Sequence, residues 1–146
     1  MIQRVIWGAM AAAFLMVPCA PSEPISITGA WLRPPAPGLE VAAGYFDIVN
    51  RGDTSVDLVG VHGDALGSIE IHTETHDGDM MQMRRLDKVE LPPGQTVRFS
   101  PGGTHLMLFG FVGVTSPHVP LTLQFSDGSQ RVVEFEMRSL TGESTP

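Results

Sequence analysis

Residues 68–85 read Ser68-Ile69-Glu70-Ile71-His72-Thr73-Glu74-Thr75-His76-Asp77-Gly78-Asp79-Met80-Met81-Gln82-Met83-Arg84-Arg85. Apolar and polar residues alternate up to Asp77-Gly78, a dipeptide that favours a tight β-hairpin turn, and a second extended run follows. Side chains of a strand point alternately to opposite faces. Ile69 and Ile71 therefore share the face that seeks a core, and Glu70, His72, Glu74 and His76 share the other. On the returning strand Met81, Met83 and Arg85 share one parity. The stretch thus predicts a hairpin with one apolar face and one face carrying imidazoles, carboxylates and thioethers.

Outward from this hairpin the same grammar repeats. Extended runs are predicted over Ile25–Trp31, Val41–Val49, Ser55–Val61, Ser68–Thr75, Met80–Arg85, Lys88–Leu91, Gln95–Phe99, His105–Phe111, Leu121–Phe125 and Arg131–Met137. Turn signals such as Pro92-Pro93-Gly94, Pro101-Gly102-Gly103 and Asp127-Gly128 separate them. His118, between Pro117 and Val119-Pro120, is assigned to a loop. No run has helical period, and 16 Gly with 12 Pro are too much punctuation for a helical bundle. Strands at roughly ten-residue spacing predict an all-β, two-sheet Greek-key β-sandwich.

The 146 residues make one domain by length. Residues 1–22 are expected to be a secretory signal peptide. Arg4 supplies the positive start, and Val5–Val17 is an apolar run too short to span a bilayer. Pro18 stands where a lipoprotein signal wants a small residue, so lipidation at Cys19 is not expected. The sandwich is assigned to residues 23–140 and a polar tail to 141–146. A net charge of −7 argues against nucleic acid. One cysteine excludes an intramolecular disulfide framework, a four-cysteine zinc site and an iron–sulfur cluster. No nucleophile elbow, H-E-x-x-H or paired-carboxylate signature is present, so an enzyme is not expected.

Five His and eight Met remain to be explained. Taken singly, His62, His76 and His118 read as solvated surface residues, and Met137 and Met80 as flexible core fillers. Met81, Met83 and Met107 fit that reading poorly when taken together. In the strand from His105, Leu106 and Leu108 share the core parity, so His105 and Met107 look away from it side by side. Three strands then present nitrogen or sulfur donors on non-core positions. Thioether sulfur is soft and selects Cu(I), and imidazole suits copper generally. Metal-free alternatives remain: a sandwich whose methionine patch docks a partner.

The spacing His72, ten residues, Met83, twenty-one residues, His105, one residue, Met107 resembles the H-x10-M-x21-H-x-M signature of the periplasmic PCu(A)C copper chaperones. At this chain's His and Met frequencies a chance match is about 4 in 10,000, so the spacing carries the resemblance. Ala30-Trp31 with Arg33-Pro34, Ala43-Gly44-Tyr45-Phe46 with Asn50, and Pro101-Gly102-Gly103 before His105 also resemble that family. The likeness spans about residues 25–137. It implies a cupredoxin-like or immunoglobulin-like sandwich in the periplasm, a monomer with no membrane span once the signal is removed. It implies Cu(I) held by His72, Met83, His105 and Met107, with affinity falling in acid because the imidazoles must be neutral to ligate. The recipient it implies is the CuA site of cytochrome c oxidase subunit II, sometimes together with a second, thiol-containing chaperone. Storage or scavenging of copper for uptake is the alternative within the same chemistry. Leu106, Leu108, Phe109 and Phe111 are expected to limit water access to the metal. Met137 is the only soft donor in the last stretch, which argues against a second Cu(II) site there.

Overall fold

The computed structural model describes residues 24–64 and 66–139. The expected signal peptide and polar tail lie outside these residues. Ten strands and no helix make up the described part: β1 (Ile25–Arg33), β2 (Val41–Asn50), β3 (Val56–His62), β4 (Ser68–Asp77), β5 (Met80–Leu86), β6 (Val89–Leu91), β7 (Thr96–Phe99), β8 (Thr104–Phe109), β9 (His118–Phe125) and β10 (Gln130–Met137). No helix there is long and apolar enough to cross a membrane.

The strands form one hydrogen-bonded path in the order β5-β4-β8-β2-β1-β10-β9-β3-β6, with β7 also paired to β2. Among the described residues all strand pairings are antiparallel except β1 with β10, which is parallel. The path does not close, but it bends over on itself. Leu58 of β3 and Leu91 of β6 enter the same buried cluster as Ile71 of β4 and Leu106 and Leu108 of β8. Phe46 lies at its centre, stacked on Phe99 at 4.2 Å and edge-on to Phe135 at 5.7 Å between ring centroids. Such aromatic pairs add about 1 kcal/mol each beyond area burial. The predicted sandwich is therefore present, built as one curled sheet packed against itself.

Three local features differ from the sequence reading. His118 is not in a loop but opens β9, opposite Glu136. Pro120 is tolerated two residues on because β3 flanks β9 only from Thr122 onward, which leaves the strand edge-like at the proline. β8 stops at Phe109 because Gly110 turns the chain with φ of 69°. The hairpin turn is centred on Gly78-Asp79, not on Asp77-Gly78. Asp77 pairs with Met80, and Gly78 alone has positive φ, 62°. Glycine first with positive φ is the II′ arrangement, whose twist matches the flanking strands. The shift matters for the site: a turn centred on Asp77-Gly78 would set His72 opposite Met83, whereas the observed register sets Glu74 opposite Met83 and His72 opposite Arg85.

Gly44 lets β2 sit tightly between β1 and β8. A Cβ there would come within 3.1 Å of Leu32 and 3.2 Å of Leu106. Leu106 lies between His105 and Met107, so the close approach at Gly44 fixes the strand that carries both.

Candidate metal centre

The outer face of the β5-β4-β8-β2 half carries the four donors singled out by the sequence. β8 is sandwiched between β4 and β2. His72 of β4 lies directly opposite His105 of β8, their ring centroids 6.3 Å apart. Met107 of β8 lies opposite Glu70 on one side and Ala43 on the other. Met83 of β5 lies opposite Glu74. Directly opposed residues of an antiparallel pair share a face, so all four donors are on one side of the sheet, away from the leucine core.

The two imidazoles are held by partners that can only accept. His105 Nδ1 is 3.0 Å from the carbonyl oxygen of Gly103. The ring must donate Nδ1–H there, which leaves the Nε2 lone pair free. His72 Nε2 is 2.8 Å from Glu70 Oε2. A carboxylate accepts, so His72 donates Nε2–H, and its Nδ1 is left buried with no hydrogen-bond partner among the described residues. A buried polar atom without a partner is costly and calls for an explanation. Glu70 is itself fixed, since its Oε1 accepts from Arg85 Nη1 at 3.2 Å. Carboxylate and carbonyl groups that orient a histidine in this way are usual behind metal-ligating imidazoles.

Burial grades across the donors. His105 is only 5% exposed, buried although it faces away from the core, and Met83 on edge strand β5 is 48% exposed. The cover over His105 is aromatic and comes from β1 and β2. Tyr45 lies 6.4 Å from its ring and packs on Trp31 at 4.5 Å. The Arg33 guanidinium caps Tyr45 at 5.8 Å. Three of the four residues expected to keep water away do not do so: Leu106, Leu108 and Phe111 are buried in the hydrophobic core, whereas Phe109 is half-buried with the parity of His105 and Met107. Met80, expected as a core filler, is exposed, whereas Met137 does pack against the core.

A cleft of about 470 Å³ opens beside these residues, lined among others by Met83, His105, Met107, Glu74, Arg33 and Pro35. The proline-rich segment after β1 thus forms one wall. His72 does not line this cleft; it lies beside His105 on the β4 side. Among the described residues no three His, Cys, Asp or Glu side chains converge to hold a metal. Two imidazoles supplemented by thioethers fit a soft monovalent ion.

Tyr45, the chain's single tyrosine, reports on this wall. Burial pushes its phenol above the ordinary 10.0 and the Glu74 carboxylate adds to this, against a lowering by Arg33. A raised folded-state value means the neutral phenol stabilises the fold. That contribution is complete below the unfolded value and lost as pH rises through the folded one. A tyrosinate absorbance titration should therefore run to higher pH in the folded protein than in the urea-unfolded chain; coincident curves would mean that Tyr45 is open to water.

The fold is that of PCuAC domains. The copper-bound PCuAC domain from PmoF2 superposes with a TM-score of 0.69 and 26% identity, covering 80% of this chain and 94% of that one. The Cu(I) form of DR1885 from Deinococcus radiodurans matches with a TM-score of 0.62 and 26% identity over 84% of this chain and 83% of that one. A family model described as "Putative lipoprotein LpqE-like" matches residues 25–137, and the chain belongs to that family. It is 28% identical over 133 residues to "Putative lipoprotein Lxx21020" of Leifsonia xyli subsp. xyli (strain CTCB07), which spans 89% of this chain and 79% of that protein. It is 31% identical over 105 residues to RP573 of Rickettsia prowazekii (strain Madrid E), and that match covers about half of the Rickettsia protein, 55%.

Proposed function

We propose that the protein is a copper chaperone of the cell envelope that carries Cu(I) on His72, Met83, His105 and Met107. The observation that carries this reading is the pair of accept-only partners, Gly103 O and Glu70, which leave one free nitrogen on each of two facing imidazoles. Two thioethers on the same face complete a neutral, soft donor set. Neutral ligands leave Cu(I) its positive charge, and the Glu74 carboxylate in the cleft offsets it. Likeness to copper-bound PCuAC domains supports the same reading. The apolar run at residues 5–17 and the lipoprotein names of relatives support export to the periplasmic side.

Release follows from the burial gradient. His105 and His72 are fixed by hydrogen bonds, whereas Met83 sits on an edge strand open to solvent. An acceptor's thiolate or imidazole displaces Met83 first, and the ion leaves by stepwise ligand exchange without change of oxidation state. The recipient we infer is the CuA site of cytochrome c oxidase subunit II, directly or through a thiol-containing chaperone.

X-ray absorption of the copper-loaded protein tests the donor set. A mixed nitrogen and sulfur shell is expected, and a shell of nitrogen and oxygen alone would reject it. Mixing the loaded protein with the soluble CuA domain of subunit II tests the recipient; copper that stays on the chaperone would exclude this acceptor. The supporting carboxylate gives a further prediction. Glu70→Ala frees the His72 ring and is expected to weaken copper binding by about ten- to a hundredfold. In nitrogen-15 spectra of His72 the native protein should show Nε2 protonated and Nδ1 bare, and the variant a tautomer mixture.

A further inference from the structure

The donor face continues past Met83 along the β4–β5 hairpin. His76 lies directly opposite Met81, two pairs further toward the turn than Glu74 and Met83. Parity puts both on the face that carries His72 and Met83. Met81 is 62% exposed and His76 is exposed as well. An exposed thioether beside an imidazole gains little from burial, and among the described residues neither side chain has a hydrogen bond. Met80 pairs with Asp77 and points to the other face, so the juxtaposition of imidazole and thioether is specific to the 76–81 pair. Asp77 and Asp79 flank it at the tip with two negative charges.

We propose that His76 and Met81 form a second, weaker Cu(I) station at the hairpin tip, through which the ion passes between solvent or acceptor and the buried site. This rests on the copper-carrier reading above. Opposed residues have Cβ atoms about 5 Å apart, which allows the imidazole and the thioether to grip one ion. Cu(I) is stable with as few as two ligands, so no further donor is required. The step from Met83 to Met81 along β5 is about 7 Å, and the long, flexible Met83 side chain can serve both positions in turn. The donors thus run from the buried His105 out to an exposed pair, and the outer pair is weaker because it has two ligands and full access to water. Transfer is a ligand exchange: Met81 sulfur and His76 nitrogen bond to the ion as bonds to the inner donors break, and copper stays Cu(I).

Anaerobic titration of the full chain with Cu(I), followed by the methionine methyl resonances and the His76 ring signals, tests this. The first equivalent is expected to move Met107 and Met83, and the second Met81 and His76. The double variant His76→Asn, Met81→Leu should lose the second phase and keep the first; both positions are exposed, so the fold is not at stake. A second phase that survives in this variant, or a native titration that ends after Met107 and Met83 have moved, overturns the station and leaves the inner site standing. Failure of Met107 to respond to the first equivalent would instead sink the inner site.

Discussion

Met107→Leu is expected to lower Cu(I) affinity by more than about a hundredfold while the protein folds normally. Loss of an outer supporting hydrogen bond to a ligand already costs about ten- to a hundredfold, and this change removes a ligand outright. Leucine nearly conserves the volume of methionine, a swap that usually costs less than about 1.5 kcal/mol. Met107 is only partly buried, on the face opposite the core, which lowers that cost further. His105→Ala should act at least as strongly on copper. It leaves Gly103 O with one donor, the Glu74 amide at 3.2 Å, so the loop before β8 keeps an anchor. His62→Ala and His118→Ala, at exposed positions outside the donor face, should bind copper as the native protein does. Competition against a Cu(I) chelator under anaerobic conditions measures all four. A Met107→Leu affinity within a few-fold of native would remove Met107 from the ligand set.

The second large effect falls on stability. Asn50 at the end of β2 is 1% exposed and uses its whole amide. Its Nδ2 donates to Leu91 O and to Thr54 O, both at 2.8 Å, and its Oδ1 accepts from Gly52 N at 2.9 Å. One side chain thereby ties β2 to β6 and shapes the turn before β3. Asn50→Ala leaves a buried carbonyl unpaired and is expected to cost about 2–4 kcal/mol, which would lower Tm by roughly 10 °C. Asn50→Asp should be as bad or worse. Both partners of Nδ2 are carbonyls, and a carboxylate would face them with charge and no donor. Thermal unfolding of the two variants checks the order; an aspartate variant close to native would mean that the turn rearranges around position 50.

Neither effect is visible in composition, yet the residues behind them differ in how far the sequence reveals them. The alternation of Ile69 and Ile71 with Glu70 and His72 fixes which face each takes, because one face must be buried and the period is two. The same holds for Leu106 and Leu108 against His105 and Met107. All ten strands are legible in this way, with shifts of one to three residues at most ends. Asn50 is not legible as a buried node. It reads as a turn residue, and its partner Leu91 lies forty-one positions away. Glu70 reads as an acidic neighbour that attracts cations. Its contact with His72 is a same-face geometry two residues apart, and only side-chain placement reveals the hydrogen bond.

Local physics therefore determined from sequence alone that this chain forms strands, which side chains share a face, and that His72, Met83, His105 and Met107 take the parity away from the core. Turn chemistry carried the hairpin almost to its register, missing by one residue in the turn centre. Only the tertiary structure decided that β8 lies between β4 and β2, which sets His105 opposite His72, thirty-three residues away in the chain. That choice is made by packing. Leucines and phenylalanines from most of the strands fill one core, and the curled sheet brings Phe46, Phe99, Phe135, Leu106 and Leu108 into the same buried cluster. The same packing draws Trp31 and Tyr45 over His105 and buries a histidine that alternation alone would leave in water.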